Sequence, residues 1–418
     1  MRRIVAAGSR AAELYGYGEV RTPLLEQEAL FSRALGLGTD VVSKEMYTLD
    51  DRNGKRLALR PEATAGVLRA FLASEHGGGA QHEPQRYWYH GPMFRYERPQ
   101  RGRYRQFEQF GVECFGSGGA LADAEVIALA AQFLRDVGVL GGTTLRINSL
   151  GDAASQQAYR AVLGAYFEQH AAALSETSRE RLQRGSVLRI LDSKSEADRA
   201  LVERAPKLAA SLTAESSERF GAVVAALGAL GVELEVDETL VRGLDYYCHT
   251  VFEFVGSGGG EGSGLGTQDA VLGGGRYDGL SAALGGPDEL PSIGWSAGLE
   301  RLLLMASELD AFAAPAEPHV AVLAASANGT QQSSALALAT ELRRAGIAAA
   351  WRPDGGKLGK QLSRASASDA VLALIVGADE LRAGTVTLKL LGTGEQCSVE
   401  RGAVLEHVSA AVGAAPTT

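Results

Sequence analysis

A run of arginines between two strand-like segments limits how the first part of this chain can fold. The stretch FRYERPQRGRYRQFEQFGVE, residues 94–113, carries five arginines from Arg95 to Arg105 but a single acid within that run, Glu97. The flanking segments QRYWYHGPMFRYE and RQFEQFGVECFG alternate in polarity and are rich in aromatic residues, as β-strands are. Between them, RPQRGRY holds the proline and glycine of a turn. The pattern predicts an antiparallel hairpin with a long basic tip.

Alternation along the second strand assigns its side chains to two faces. One face is apolar and should pack on the core: Phe110, Val112 and Cys114. The opposite face combines an aromatic ring, an amide, a bare backbone and a carboxylate: Phe107, Gln109, Gly111 and Glu113. This mixture is unusual in a core and suits the floor of a binding site, over which Arg95 and Glu97 of the first strand could lie.

The arginine cluster calls for an anionic partner, because like charges at this density repel one another. A solvated hairpin with arginine and glutamate on its surface is the simpler alternative, since isolated motifs of this kind are weak signals. The excess of arginine beside an aromatic ring and a carboxylate favours a nucleotide site, because guanidinium groups bind phosphate in a bidentate manner.

Hydrophobic periodicity divides the chain into blocks and predicts an α+β fold. Residues 1–149 mix short helices with strand-like runs, whereas residues 150–230 are helical, with charge on one side and Ala, Val and Leu on the other. Strands return in residues 231–312, so the helical block is predicted to be an insertion in a sheet domain. Two prolines mark residues 313–318 as a linker. Residues 319–418 alternate strand and helix, as a small α/β domain does.

Two further segments combine charge with a recognisable local pattern. VRGLDYYCHTVFEF places Arg242 beside Tyr246 and Tyr247 in a strand-rich region, where a strand edge with half-buried tyrosines is the structural alternative. GWSAGLERLLL predicts a strand that turns into a helix near Gly298, with Arg301 in the first helical turn. That arginine would reinforce an anion site at the helix N-terminus, or would lie on the surface of an amphipathic helix.

Composition excludes several other classes of protein. The chain of 418 residues has a formal net charge of -9, which argues against a polybasic nucleic-acid coat but not against a local basic groove. No stretch approaches the roughly 20 apolar residues that span a bilayer. The three cysteines show no CxxC spacing and the seven histidines no metal-ligand spacing. We therefore expect a cytoplasmic protein with neither a membrane anchor nor a metal site.

With these three clusters in this order, the chain resembles the histidyl-tRNA synthetase family of class II aminoacyl-tRNA synthetases. FRYERPQRGRYRQFEQFGVE is similar to motif 2 of the class, GLERLLL to motif 3 and YGYGEVRTPLLE to motif 1. RGLDYY resembles the signature of the histidine enzymes, and KEMYTLDDRNGKRLALRPEATAG also matches the family. The resemblance covers nearly the whole chain. It implies a class II antiparallel sheet flanked by helices, a helical insertion and a C-terminal α/β anticodon-binding domain.

The resemblance implies ATP as a substrate, accompanied by Mg²⁺. Arg95 would grip the α-phosphate and Arg242 would add positive charge there in the transition state, so these two are the expected catalytic residues. Phe107 would stack on adenine, and two further arginines would hold the outer phosphates. The full set implied for ATP is Arg95, Glu97, Arg103, Phe107 and Arg301.

The resemblance also implies a histidine pocket. Three of its residues match positions that hold the α-amino end of the amino acid, namely Glu62, Thr64 and Gln109, while Glu113 and Tyr247 match those that read the imidazole. The full set implied for histidine is Glu62, Thr64, Gln109, Glu113, Arg242, Tyr246, Tyr247 and Tyr277. The hairpin tip would meet the acceptor end of tRNA(His) through Arg98, Gln100 and Arg101.

The implied reaction is ATP-dependent attachment of L-histidine to tRNA(His) through histidyl-adenylate, by a homodimer. Because the chain begins almost at motif 1, we expect a less stable dimer than in relatives with a preceding segment. Cys248 and His249 stand where the family usually shows other residues. One alternative is a non-catalytic, synthetase-like regulatory subunit of histidine biosynthesis, which would be expected to lose the ATP-contacting arginines and the C-terminal domain. A plain RNA-binding module would leave Glu113 and RGLDYY unexplained.

Overall fold

The chain divides into two compact units, Met1–Phe312 and Ala313–Thr418. The computed structural model describes residues 1–36, 38–74, 84–191, 193, 195–241, 244, 246–256, 270–309, 311, 319–326, 329–352, 356–368 and 370–413. The predicted linker, residues 313–318, lies outside these ranges.

Within the described ranges, the first unit is built from eleven strands and ten α-helices. Its strands are β1 (Gly18–Glu19), β2 (Leu25–Gln27), β3 (Thr48–Asp50), β4 (Arg56–Leu59), β5 (Gln85–Phe94), β6 (Gln106–Phe115), β7 (Thr143–Ser149), β8 (Glu235–Val236), β9 (Cys248–Gly256), β10 (Ala270–Arg276) and β11 (Ser292–Gly298). Its helices are α1 (Arg2–Leu14), α2 (Glu28–Leu35), α3 (Thr64–Leu72), α4 (Ala120–Val137), α5 (Ala153–Gln169), α6 (Glu176–Gln183), α7 (Glu196–Arg204), α8 (Ala214–Ala229), α9 (Leu280–Ala283) and α10 (Leu299–Glu308).

A largely antiparallel sheet organises this unit, with strand order β1-β5-β6-β11-β10-β9-β7-β8. Within this sheet, the edge pairs β1/β5 and β7/β8 run parallel, and the other pairings of its described strands are antiparallel. The predicted hairpin is confirmed: β5 and β6 pair antiparallel from Gln85 opposite Phe115 to Phe94 opposite Gln106, with residues 95–105 as the loop. The predicted change from strand to helix near Gly298 is also confirmed, since β11 runs directly into α10. The fold is of the α+β class that the sequence predicts.

The two faces of the sheet pack into two separate clusters of buried side chains. On one face, Phe110, Val112 and Cys114 of β6 join apolar residues of α1, α4 and α8. Phe133 of α4 stacks on Trp295 of β11 there, with ring centroids 5.5 Å apart. The other face packs against residues of α2, α3 and α5. Both faces are therefore covered by helices, and the strands between them have little freedom to shift.

A buried ion pair fixes α4 to the sheet. Arg276, at the end of β10, donates its Nε hydrogen to Asp123 at 2.9 Å, and both side chains are fully buried. Thr250 of β9 donates to the same carboxylate at 2.7 Å. Because removing one member of a buried pair leaves an uncompensated charge, loss of either partner would destabilise this end of the sheet by about 3–5 kcal/mol.

The second unit has a five-stranded sheet in the order β13-β12-β14-β15-β16. Its strands are β12 (His319–Ala324), β13 (Ala349–Ala350), β14 (Ala370–Val376), β15 (Thr385–Leu390) and β16 (Gln396–Glu400). Its helices are α11 (Gly329–Arg344), α12 (Leu358–Ala367), α13 (Ala378–Ala383) and α14 (Val404–Gly413). β12 runs parallel to both of its neighbours, β13 and β14. The pairs β14/β15 and β15/β16 are antiparallel. None of the described helices in the chain has the length and apolar character needed to cross a bilayer.

Candidate active site

A cleft of about 590 Å³ opens on the sheet face that carries the polar side of β6. Twelve of the side chains implied by the resemblance line it: Glu62, Thr64, Arg95, Glu97, Arg103, Phe107, Gln109, Glu113, Tyr246, Tyr247, Tyr277 and Arg301. These residues come from β6, the start of α3, the β5–β6 loop, the segments beside β9 and β10, and α10. Arg242 lies outside the described residues, so its position is not assigned.

The floor of the cleft holds one deeply buried carboxyl group. Glu113 of β6 is 1% exposed. Thr64 donates its hydroxyl hydrogen to Oε1 at 2.6 Å, and the hydroxyl of Tyr277 donates to Oε2. Gly294 of β11 lies directly opposite Glu113, and a Cβ atom at that position would collide with the carboxylate. The neighbouring strand thus leaves room for the acid, which lies in the cleft at a defined position.

Burial is the dominant influence on this carboxyl group. Loss of solvent raises the pKa of Glu113 to about 8, against the lowering effect of the hydrogen bonds from Thr64 and Tyr277, while nearby Glu62 raises the pKa further. At neutral pH the group is therefore mostly protonated until a ligand supplies a better partner. A protonated carboxyl group can donate a hydrogen bond to a nitrogen of a heteroaromatic ring, or accept one from its N–H group.

Tyr89 of β5 acts on Glu113 and was missed by sequence analysis. Its side chain is 4% exposed, and its hydroxyl group lies against Gly111, the residue paired with it in β6. As a hydrogen-bond donor near Glu113, the Tyr89 hydroxyl group lowers the pKa of that carboxyl group. The sequence did contain a signal for Tyr89. If the hairpin register had been fixed from the turn, Tyr89 would have been placed opposite Gly111.

The segment before α3 reaches both ends of the cleft. Glu62 accepts hydrogen bonds from the backbone N–H groups of Thr64 at 2.7 Å and Ala65 at 2.9 Å, at the start of the helix. Burial raises the pKa of Glu62, and these backbone donors oppose that rise. One residue earlier, the carbonyl oxygen of Pro61 accepts from Nε of Arg95 at 2.8 Å. This short segment therefore positions the carboxylate of Glu62, the hydroxyl group of Thr64 and the guanidinium group of Arg95.

Arg95 and Phe107 form the first part of a basic end of the cleft. The guanidinium carbon of Arg95 lies 5.3 Å from the ring centroid of Phe107. Arg103 forms an ion pair with Glu97, whose side chain is 9% exposed. Glu97 also lies 4.0 Å from Arg95. An aromatic face and two guanidinium groups therefore lie side by side, an arrangement that suits a base and its phosphates.

Arg301 of α10 brings a third guanidinium group to the same end. It donates to the carbonyl oxygens of Gly102 at 3.2 Å and Ala270 at 2.8 Å. The pKa of Arg301 is lowered, first by burial and then by the positive charges of Arg103 and Arg95. Three guanidinium groups that repel one another in a partly buried cleft favour an anion among them.

Three tyrosine rings form a wall near Glu113. The ring centroids of Tyr246 and Tyr247 are 4.6 Å apart, and that of Tyr277 lies 5.5 Å from the first and 6.4 Å from the second. Burial raises the pKa values of Tyr246 and Tyr277 well above the ordinary range, so both hydroxyl groups stay protonated. The wall is apolar along its rings and polar at its tips, which fits a planar polar ligand.

Three residues of the hairpin tip lie outside the cleft lining. Arg98, Gln100 and Arg101 are exposed. Arg101 forms an ion pair with Glu308 at 3.1 Å, with side-chain exposures of 60% and 40%. Exposed pairs of this kind contribute little stability, so Arg101 can exchange its partner readily.

Comparisons with known proteins agree with this arrangement. Residues 1–302 match the family model for histidyl-tRNA synthetase, and residues 319–411 match that for an anticodon binding domain. The chain is 47% identical to a histidine–tRNA ligase of Rhodospirillum rubrum, with 97% of this chain and 94% of that protein covered. It resembles the crystal structure of apo S. aureus histidyl-tRNA synthetase with a TM-score of 0.77 and 31% identity, over 97% of this chain and 94% of that one.

A third comparison shares the fold alone. A structure from Bacillus halodurans, described as an ATP phosphoribosyltransferase regulatory subunit/histidyl-tRNA synthetase, aligns with a TM-score of 0.60 at 23% identity, over 87% of this chain and 91% of that one. The two family matches place the chain in the aminoacyl-tRNA synthetase class. Within that class, the chain belongs to the histidyl-tRNA synthetase family.

Proposed function

We propose that this chain activates L-histidine with ATP and transfers the histidyl group to tRNA(His). The observation that carries the proposal is the pairing, in one cleft, of a buried carboxyl group beside tyrosines with three guanidinium groups beside an aromatic ring. The first end suits an imidazole and the second suits a nucleotide. Their common lining brings the amino acid carboxylate and the α-phosphate together, which is what adenylate formation needs.

At the acidic end, the two nitrogens of the substrate ring find different partners. Free imidazole has a pKa near 6.5, so histidine is mostly neutral at pH 7, with one nitrogen as donor and the other as acceptor. Glu113 binds one nitrogen and the Tyr247 hydroxyl group the other. The carboxylate of Glu62, with Thr64 and Gln109, holds the ammonium group. Tyr246, Tyr277 and Arg242 complete the pocket.

At the basic end, the protein acts by positioning and charge. Arg95 holds the α-phosphate, Arg103 and Arg301 hold the outer phosphates, and Phe107 stacks on adenine, while Glu97 orients Arg103. Arg242 contributes positive charge to the transition state. No protein nucleophile takes part, because preorganised positive charge stabilises the phosphoryl transition state directly.

The reaction has two balanced steps. An oxygen of the histidine carboxylate attacks the α-phosphorus, the bond to the β-phosphate oxygen breaks, and pyrophosphate leaves with the bonding electrons. A 3′-terminal ribose hydroxyl group of tRNA then attacks the histidyl carbonyl carbon, loses its proton, and AMP leaves. Mg²⁺ enters with ATP as part of the substrate. Glu97 and Glu253 place carboxylate oxygens in the cleft lining, and oxygen is the ligand type that Mg²⁺ takes.

The tRNA is held at two places. Arg98, Gln100 and Arg101 of the hairpin tip meet its acceptor end, and residues 319–418 bind the anticodon region. In that unit the segment 357–364, KLGKQLSR, carries exposed basic residues at the start of α12. The working form is a homodimer in the cytoplasm, a setting consistent with the three free cysteines.

Histidine-dependent exchange between ATP and pyrophosphate on the purified chain tests the first step, and charging of tRNA(His) tests the second. We expect both activities in the full chain. Removal of residues 319–418 should weaken charging far more than exchange. A chain that binds histidine but shows no exchange would support the regulatory-subunit alternative, and equal losses of both activities on removal would mean that the second unit only supports the fold.

A further inference from the structure

Three side chains that could bind a metal ion meet outside the cleft. The Cys248 sulfur, a ring nitrogen of His249 and a carboxylate oxygen of Asp278 all lie within 4.8 Å of one another. All three residues are half-buried, so the cluster is both ordered by its surroundings and open to solvent. Spacing along the chain did not reveal it, because Asp278 is brought to the other two by the pairing of β9 with β10.

Hydrogen bonds already orient two of these groups. The backbone N–H of Asp278 donates to the sulfur of Cys248 at 3.5 Å. Oδ1 of Asp278 accepts from Arg276 at 2.9 Å and from the backbone N–H of Ser292 at 2.8 Å. Metal ligands are held by outer partners of this kind, which fix their direction and stabilise a thiolate.

His249 has two features that packing alone does not explain. Its φ angle of 45° makes it the one non-glycine residue with positive φ in the described part of the chain. Its Nδ1 atom is buried and has no hydrogen-bond partner among the described residues. Two backbone hydrogen bonds hold this conformation. The N–H of His249 donates to the carbonyl oxygen of Gly151 at 2.8 Å, and the N–H of Leu150 donates to the carbonyl oxygen of His249 at 2.6 Å. Strain and an unpaired polar atom at one residue point to a ligand.

We propose that Cys248, His249 and Asp278 form a site for a thiophilic divalent cation of the Zn²⁺ type. Sulfur, imidazole nitrogen and carboxylate oxygen are the three ligand types that Zn²⁺ takes, and water completes a tetrahedral site. In a tetrahedral site, ligand atoms about 2.0–2.3 Å from zinc lie roughly 3.3–3.8 Å from one another. The three atoms here lie within 4.8 Å of one another, so shifts of about 1 Å by side-chain rotation bring them to these distances. Cys248 loses its proton to solvent as the metal–sulfur bond forms.

The surrounding charges allow a cation. Arg219 and Arg276 carry two positive charges near the cluster, and both approach Asp123. Asp123, Asp278 and the thiolate formed on binding supply three negative charges. Once the thiol has lost its proton, the negative charges around the ion exceed the positive charges by one, which attracts a divalent cation.

The site would act on the histidine pocket through the backbone. Cys248 directly follows Tyr247, and Asp278 directly follows Tyr277, and both tyrosines line the cleft. A metal ion that draws Cys248 toward Asp278 would fix the spacing of the two tyrosine rings, whose centroids are 6.4 Å apart. Occupancy therefore couples to histidine binding and leaves the arginine end of the cleft unchanged.

The test uses the full chain, freed of metal with a chelator and titrated with Co²⁺, which reports thiolate ligation by a charge-transfer band. The variants are Cys248→Ser and His249→Asn, since asparagine tolerates positive φ. Cys397→Ser is the matched control, because Cys397 is an exposed cysteine in the second unit. Thermal melting of each metal-free variant checks that it folds, and competition with Zn²⁺ gives the affinity.

We expect one Co²⁺ per chain with a thiolate band that Zn²⁺ displaces. Cys248→Ser should abolish the band, and either site variant should weaken Zn²⁺ binding by at least about 100-fold, since loss of an outer partner alone costs 10- to 100-fold. Cys397→Ser should change neither. Zn²⁺ should alter the KM for histidine in wild type but not in the site variants. No band, a band retained in Cys248→Ser, or a band lost in Cys397→Ser would overturn the site.

Discussion

Thr64 donates its hydroxyl hydrogen to Oε1 of Glu113 at 2.6 Å, which joins the start of α3 to the C-terminal end of β6. The residues just before Thr64 extend the link, because the carbonyl oxygen of Pro61 accepts from Arg95 at 2.8 Å. Movement of this segment would displace the acidic and the basic end of the cleft together. The two substrates therefore meet a single connected piece of structure, so binding of one can favour binding of the other.

Replacement of Glu113 separates histidine recognition from ATP binding. Glu113→Gln keeps the size of the side chain but offers only one acceptor oxygen, so one ring nitrogen or a surrounding hydroxyl group stays unpaired. Sites that bind a polar atom in this way reject unmatched ligands by about 10⁴-fold. We expect the KM for histidine in pyrophosphate exchange to rise at least about 100-fold with the KM for ATP nearly unchanged. A variant that melts early and loses both substrates together would show a structural role instead.

The raised pKa of Glu113 predicts how stability varies with pH. This pKa is about 8 in the folded chain against an ordinary value of 4.5. Between these values the folded state keeps a proton that the unfolded state has lost, so stability falls as pH rises and levels off above about pH 8. The melting temperature of wild type should therefore decline more steeply from pH 5 to pH 8 than that of Glu113→Gln. Exposed Glu203→Gln is the control, and identical slopes in all three proteins would contradict the prediction.

The sequence predicted the hairpin and its two faces because both depend on local alternation. Phe110, Val112 and Cys114 pack on the core, and Phe107 and Glu113 line the cleft on the other face. The aromatic strands, the turn residues and the absence of helical periodicity all favour one structure there. The roles of individual side chains in substrate binding stay predictions, because they depend on ligands rather than on the backbone pattern.

Contacts set by pairings outside the hairpin were beyond the reach of the sequence. Gly294 makes room for Glu113 only because β11 flanks β6 with a particular residue pairing. Asp278 meets Cys248 through the pairing of β9 with β10, two strands separated by residues 257–269, which lie outside the described ranges. Such pairings are decided by packing over the whole sheet, which a local pattern does not encode.

Tyr89→Phe tests whether the Tyr89 hydroxyl group positions Glu113. The ring keeps its packing, but the carboxyl group loses a donor that lowers its pKa. We expect the KM for histidine to rise about 10-fold, since a hydrogen bond to a charged group contributes about 1.5–3 kcal/mol. The pH profile of kcat/KM for histidine should shift to higher pH. Tyr87→Phe, on the same face of β5, should leave both unchanged, and a shift of equal size in that control would argue against the assignment.

Arg242 is expected to act on the transition state more than on binding. Arg242→Ala should slow adenylate formation by about 10²-fold or more, the usual cost of losing one preorganised charged group. Histidine affinity should change little. Single-turnover adenylation measures this rate, and Arg105→Ala is the control variant. The guanidinium group of Arg105 lies 4.0 Å from the ring centroid of Tyr96, and Arg105 does not line the cleft. Adenylation at wild-type speed in the Arg242 variant would remove this residue from the mechanism.

The exposed hairpin tip should affect tRNA binding without affecting adenylation. Arg101 can exchange its weak pair with Glu308, 3.1 Å away, for a phosphate group, and Arg98 is exposed beside it. Each phosphate neutralised releases counterions, so affinity for tRNA falls as salt rises. Arg98→Ala and Arg101→Ala should each reduce the slope of log affinity against log salt by about 0.7–0.9. Exposed Arg52→Ala, in the turn between β3 and β4, should leave the slope unchanged, and filter binding at several salt concentrations gives all four slopes. Unchanged slopes in both tip variants would mean that the tip does not contact the tRNA backbone.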